Sequence, residues 1–129
     1  MKIIILCLFL LNFLSANLLQ EAIDNAPEGS VLKLPKGVYK GSIIINKPLS
    51  IIGKEDGVII DGGGIGTVIQ ITSSYVTLKN LTITGSGDRH DLLDSAIKIN
   101  NSKQSEISNC IIKDSLFGID ITMTNNSII

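Results

Sequence analysis

The chain has 129 residues, of which 44% are hydrophobic, 18% charged and 4% aromatic, and its formal net charge is −1. Nothing in this balance of charge points to binding of nucleic acid or of an anionic membrane surface. Because tryptophan is absent and aromatic residues are few, the core must be built from aliphatic side chains.

Residues 1–16 have the layout of a secretory signal peptide. A basic start is followed by the apolar run 3–11, which is too short for a membrane span, and by the small residues Ser15 and Ala16. We therefore predict export to the periplasm and a mature domain of residues 17–129. A membrane anchor is the competing interpretation. Cleavage would leave Cys110 as the one cysteine, so no disulfide is expected.

One amphipathic helix is predicted, over 17–26, because apolar residues recur at helical spacing before Pro27. Beyond it the helical period disappears and short β-branched runs alternate with turn residues. The predicted strands are Val31–Leu34, Ile43–Ile45, Leu49–Ile52, Val58–Ile60, Thr67–Ile71, Val76–Ile83, Ala96–Ile99, Ile107–Ile112 and Gly118–Ile121.

The chain repeats itself at intervals of about 22 residues. The run 96–99 is echoed 22 residues later at 118–121, and Glu106 is followed at the same offset by Ile128. The run 78–83 matches 107–112 at a longer interval, which indicates an insertion, and the polar segment 85–94 has no counterpart in the next repeat. A period in the low twenties indicates a solenoid.

An all-β, right-handed parallel β-helix explains this pattern better than a leucine-rich repeat, because isoleucine and valine dominate and asparagine follows the strands. We expect about five coils, with Ile97 and Ile99 pointing inward and Lys98 outward. Asn80 and Asn109 are predicted to form corners and to stack. The helix should cover one end of the coil, whereas the sequence stops at Ile129 within a repeat, as if truncated.

The sequence resembles the N-terminal part of the NosD family. The resemblance is carried by 19–23, 27–29, 34–39, 47–53, 58–64, 81–87, 94–97 and 114–119. Its most characteristic elements are the Gly85-Ser86-Gly87 loop, the Asp94-Ser95-Ala96-Ile97 strand and the segment Asp114–Ile119. It implies a periplasmic assembly factor that works with an ABC transporter ATPase and permease in the maturation of nitrous oxide reductase. Copper is a possible ligand by resemblance only.

Loops that protrude from a rigid coil are where solenoids place function. Asp88, Arg89, His90, Asp91 and Asp94 form such a loop, and we predict that it docks a partner. Copper ligation by His90, with Met123 from the next coil, and a carboxylate site for calcium or a sugar are the alternatives.

Three other features suggest chemistry less strongly. Cys110 occupies the repeat position of Leu81, so we expect it in the core. Asp61 with the three following glycines is interpreted as a turn. Asp114 and Asp120 could share an outer face as paired carboxylates, and this supports the rival interpretation of a polysaccharide lyase or hydrolase. A structural or adhesive surface solenoid is the third interpretation.

Overall fold

The computed structural model describes residues 3–5 and 16–129. Most of the predicted signal peptide, with Cys7, therefore lies outside the described residues. Within the described part, no helix is long and apolar enough to cross a bilayer. The elements are α1 Ala16–Asn25, β1 Ile3–Ile5, β2 Ser30–Leu34, β3 Gly37–Lys40, β4 Ile43–Ile45, β5 Leu49–Gly53, β6 Val58–Asp61, β7 Ile69–Ile71, β8 Val76–Lys79, β9 Thr82–Thr84, β10 Ser95–Asn100, β11 Glu106–Ser108, β12 Ile111–Lys113 and β13 Phe117–Thr122.

The strands form three parallel sheets. Sheet A contains β1, β2, β5, β8 and β11, sheet B contains β3, β6, β9 and β12, and sheet C contains β4, β7, β10 and β13. From β2 onward the chain visits the three sheets in the same order on every turn, so each turn contributes one strand to each sheet. The prediction of a parallel β-helix is confirmed, with about four turns rather than five.

The predicted repeat offsets match the register of the described strands. Ile97 pairs with Ile119, Glu106 with Ile128, and Leu78 with Ile107. The period is less regular in the first turns. The step along the chain from Leu49 to its partner Val76 is clearly longer than the step from Ser30 to its partner Leu49. The turns that contain residues 62–68 and 85–94 are longer than the predicted period of about 22 residues, so fewer coils fit.

The core consists of side chains that stack from one turn to the next. On sheet C, Ile43, Ile69 and Ile97 occupy successive levels of one inward column and are fully buried. Lys98 lies on the outer face, as predicted from the alternation. Burial of such an isoleucine side chain contributes about 1.5–3 kcal/mol, so each level of a column stabilises the coil.

Tyr39 is the one aromatic side chain that is fully buried within the described residues. It lies on sheet B, and its hydroxyl donates a hydrogen bond to the Pro35 carbonyl at 2.7 Å. Burial raises the pKa of Tyr39 to about 12. The hydrogen bond satisfies the polar end of the ring, so the core accepts the phenol without an unpaired group.

The corner between sheets A and B contains an asparagine ladder. Asn80 and Asn109 have φ values of 58° and 52°, and Asn109 Nδ2 donates to Asn80 Oδ1 at 3.3 Å. Asn80 Nδ2 donates in turn to the Gly53 carbonyl at 3.0 Å. The left-handed backbone ends one strand and begins another, so the single strands predicted over 76–83 and 107–112 are wrong. Each is two strands. A further strand, β3, was not predicted at all.

Helix α1 covers the first turn, as predicted. Its residues Leu19 and Ile23 are fully buried, and the helix contacts β3 and β4. Gln20 seals the edge of β4, because its Oε1 accepts from the Ile44 N–H at 2.7 Å and its Nε2 donates to the Ile44 carbonyl at 2.9 Å. The amide of Gln20 thus takes the place of a neighbouring strand and prevents edge-to-edge association.

We expect Ile97→Asp to abolish folding, because the substitution places an unpaired carboxylate in the middle of the sheet C column. Circular dichroism and size-exclusion chromatography of the purified variant measure the effect. Asn100→Asp, on the outer face of the same strand, is the control and should fold normally. A strand-rich, soluble Ile97→Asp protein would show that the inward assignment is wrong.

Gly53→Ala should destabilise the protein by about 3 kcal/mol, because an added Cβ would lie 2.1 Å from the Asn80 carbonyl oxygen. Gly118→Ala is the matched control, since a Cβ there meets no atom within 4 Å. Urea unfolding of both variants gives the two free energies. Equal stabilities would contradict the close packing of the ladder on Gly53.

Candidate functional site at the turns between sheets B and C

Two long loops lie side by side at the corner between sheets B and C. Loop 62–68 joins β6 to β7, and loop 85–94 joins β9 to β10, whereas the corresponding turns 41–42 and 114–116 are short. The loops are bonded through their backbones, with Gly64 N–H donating to the Gly85 carbonyl and Gly87 N–H to the Gly66 carbonyl, both at 2.8 Å. The predicted insertion is therefore present, and a second loop contributes to the same surface.

Asp61 ends β6 immediately before loop 62–68, and contacts at this turn hold its carboxylate in place. Its Oδ1 accepts the Gly63 N–H at 2.8 Å and its Oδ2 lies 3.1 Å from Lys40 Nζ. The hydrogen bond from the Gly63 N–H, aided by Lys40, lowers the pKa of the Asp61 carboxyl. This geometry agrees with the interpretation of Asp61 and the following glycines as a turn.

Asp94 closes loop 85–94 through an ion pair with Arg89. Asp94 is buried and accepts from the Arg89 backbone N–H at 3.0 Å, from Nε at 3.0 Å and from Nη2 at 3.1 Å. The side-chain hydrogen bonds from Arg89 lower the pKa of the Asp94 carboxyl. Both carboxylate oxygens are occupied, so Asp94 fastens the loop and is a poor candidate for a catalytic base or a metal ligand.

The tip of the loop is exposed. Leu92 and Leu93 are 51% and 46% exposed, and Asp88 and Asp91 are exposed beside them. Leu93 has a φ of 52° and donates its N–H to the His90 carbonyl at 3.2 Å. A tight turn therefore presents two leucines to solvent on a base that Arg89 and Asp94 hold in place.

A groove of about 370 Å³ runs between loop 85–94, loop 62–68 and the outer face of sheet C. Lys98 Nζ donates to the Leu92 carbonyl at 3.0 Å and so links the strand to the loop above it. The lining residues are Ser42, Ile65, Gly66, Thr67, Gln70, Arg89, Leu92, Asp94 and Lys98.

Ser42, Ile65, Gln70 and Lys98 line this groove but were not predicted from the sequence to belong to a functional site. Gln70 and Lys98 are paired in register on β7 and β10. The offset between the similar runs 67–71 and 95–99 could have placed these two side chains next to each other, beside the insertion. Only Ile65 and Ser42 could not have been assigned to the groove without the folded structure of the loops.

The arrangement does not fit the predicted copper ligands. His90 lies at the B–C corner, where its ring packs edge-on against Phe117 with centroids 6.2 Å apart. Met123 occupies a left-handed turn after β13, with φ 51°, on the way back to sheet A. Within the described residues, no three or more His, Cys, Asp or Glu side chains gather in a metal-binding group. We therefore derive no chemistry through copper at this site.

The remaining candidates are dispersed. Cys110 is half-buried against the core beside the level of Leu81, and burial raises the pKa of its thiol. Asp120 lies on β13 in register with Lys98. Asp114 occupies the turn before that strand, with φ 49°. The two carboxylates therefore belong to different elements, Asp114 to a turn and Asp120 to a strand.

No protein-family model matches the chain, and no curated protein matches it. The chain is similar to the crystal structure of an alginate lyase from Paenibacillus sp. str. FPU-7, with a TM-score of 0.70 and 20% sequence identity. The match covers 97% of this chain and 43% of the lyase, so the chain spans less than half of that protein's length. At this level of identity the likeness shows the parallel β-helix fold alone.

We expect Asp94→Asn to loosen loop 85–94, because it removes the ion pair that closes the loop. Trypsin should then cleave after Arg89 at least several times faster than in the native protein. Asp91→Asn, at the exposed tip, is the matched control and should leave the cleavage rate unchanged. Equal rates for Asp94→Asn and the native protein would contradict the fastening role.

The same ion pair predicts a pH dependence of loop order. Because the folded state lowers the pKa of Asp94, the contribution of the ion pair is complete above the ordinary carboxyl pKa of about 3.9 and is lost as the pH falls through the lower folded value. Hydrogen exchange of the loop amides should therefore show undiminished protection at pH 5. Loss of protection between pH 7 and pH 5 would assign the loop's order to another group.

Proposed function

We propose that this chain is part of a non-catalytic assembly factor of the NosD type, which docks a partner protein through loop 85–94. In this proposal the partners are nitrous oxide reductase and the ATPase and permease of an ABC transporter, and the protein works in the periplasm. The observation that carries the docking role is a fastened loop that presents Leu92 and Leu93 to solvent. The identity of the partners rests on the resemblance to the NosD family.

Preorganisation supports a docking role. A loop that is ordered before binding loses little conformational entropy when a partner is bound. Loop 85–94 has this property, because Asp94 holds Arg89 by three hydrogen bonds and Gly87 is bonded to loop 62–68. Because the loop is already ordered in the folded protein, little conformational entropy is lost on binding, and contacts made by its tip contribute directly to affinity.

The chemistry of the tip suits a protein surface. Leu92 lines the same groove as Ile65, which is 75% exposed on loop 62–68, and Leu93 is exposed next to Leu92 in the chain. Exposed apolar side chains rimmed by polar residues are typical of protein interaction sites. Asp88 and Asp91 at the margin would orient a partner and keep the free protein soluble.

A second candidate function is binding of an acidic polysaccharide. The observation that favours it is the groove beside the loop, which Arg89 and Lys98 line with positive charge. The similar solved structure is an alginate lyase, and this supports the same candidate. A uronate chain laid across sheet C would place carboxylates near both cations.

The decisive variant is Leu92→Ser with Leu93→Ser, introduced into the intact protein of a denitrifying cell. Loss of a central apolar contact weakens protein interfaces by about 2 kcal/mol or more, on the order of thirtyfold in Kd. We therefore expect much reduced nitrous oxide reduction and accumulation of reductase that lacks its copper–sulfur centre. Ion pairing of Arg89 with Asp94 is retained in this variant, so the loop stays closed.

The control is Val38→Ser with Ile111→Ser, which removes two exposed apolar side chains from the outer face of sheet B. It should leave reductase maturation unchanged. Normal maturation in the doubly substituted loop variant, with the protein folded and exported, would refute the docking role. Retention of the native protein, but not of an Arg89 and Lys98 variant, on an alginate column would favour the second candidate.

A further inference from the structure

We infer that the groove under loop 85–94 receives an acidic side chain of the docked protein. The inference rests on the proposed function, because it assigns the groove to the partner that the loop engages. It also specifies the chemistry of the partner segment that enters the groove, which must contain a glutamate or aspartate flanked by apolar residues. The groove's volume of about 370 Å³ lies at the small end of ligand sites, which suits a side chain better than an extended molecule.

The groove contains hydrogen-bond donors that the fold does not use up. Lys98 Nζ has three N–H groups, and one of them is bonded to the Leu92 carbonyl. Arg89 is bonded to Asp94 through Nε and Nη2, so its Nη1 group remains for a ligand. Gln70 lines the groove with an amide that forms no hydrogen bond to another described residue. Three kinds of donor therefore converge on one space.

The charges that line the groove favour an anion. Arg89 and Lys98 face one carboxylate, Asp94, whose two oxygens are both held by Arg89. The lining therefore carries two positive charges against one negative charge. Asp88 lines an adjoining hollow of about 220 Å³, which shares Ile65, Gly66, Arg89 and Asp94 with the groove, and Asp91 is exposed at the tip. Asp120 is next to Lys98 in register on β13 but does not line the groove.

The walls favour a protein side chain over a sugar. Ile65 and Leu92 form apolar walls above the polar floor, and both are more than half exposed. Among the lining residues there is no aromatic ring on which a sugar could stack. A peptide in which an acidic residue is flanked by leucines places its carboxylate on the floor and its apolar side chains against these walls.

Peptide titration of the purified, isotope-labelled protein tests the assignment. The probe is the acetylated, amidated tripeptide Leu-Glu-Leu, and Leu-Gln-Leu is its matched control. We expect the glutamate peptide to bind at least about fivefold more tightly and to shift the amide resonances of Gln70, Arg89 and Lys98. Lys98→Met should remove this preference, whereas Lys98→Arg should retain it.

Three outcomes would overturn the inference. They are equal affinity for both peptides, shifts confined to another surface, and tighter binding of a mannuronate tetramer than of the glutamate peptide. These results are separable from the test of the proposed function. If the Leu92 and Leu93 variant blocks maturation but the peptides bind equally, the loop docks and the groove assignment is wrong. If the glutamate preference is present but the loop variant matures the reductase normally, the docking proposal is wrong and the acid-binding groove stands.

Discussion

The inward stacking of aliphatic side chains in strict register is the constraint on which the rest of the structure depends. Ile43, Ile69, Ile97 and Ile119 form one such column, and each level supports the next. Because neighbouring strands have the same side-chain period of two, a slip of one residue would turn every inward isoleucine outward. Register is therefore fixed locally, turn by turn, without a constant number of residues between turns.

This local control of register explains how the coil accommodates loops of very different length. The turn between sheets B and C spans only 41–42 at its first level but 85–94 at its third, yet the flanking strands keep their pairing. The extra residues leave the coil and are ordered by their own contacts, chiefly those of Asp94 with Arg89 and of Gly87 with Gly66. The fold thus separates the inward side chains that stabilise it from the exposed side chains of the long loop.

The sequence predicted the parts of this structure that follow from periodicity. The offsets between similar runs identified the partners of Ile97 and Ile107, the place of the insertion and the corner asparagines. Periodicity did not reveal that Asn80 divides one β-branched run into two strands. Residues with high β-strand propensity lie on both sides of Asn80, and the pattern does not show that its backbone is left-handed. Periodicity also missed the groove, since Ser42 and Ile65 meet only when turns of different levels fold against each other. His90 and Met123 were considered together as copper ligands, but they occupy different corners. His90 lies between sheets B and C, whereas Met123 follows β13 on the way to sheet A.

We propose that the tip of loop 85–94 contacts a partner protein, and site-specific photo-crosslinking can detect that contact in cells. A photoreactive amino acid would replace Leu92 in the intact protein of cells that assemble nitrous oxide reductase, with Lys33 on the outer face of sheet A as the reference position. We predict crosslinks from position 92 to the reductase or the transporter permease, and none from position 33. Crosslinks to those proteins from position 33 and not from position 92 would contradict it.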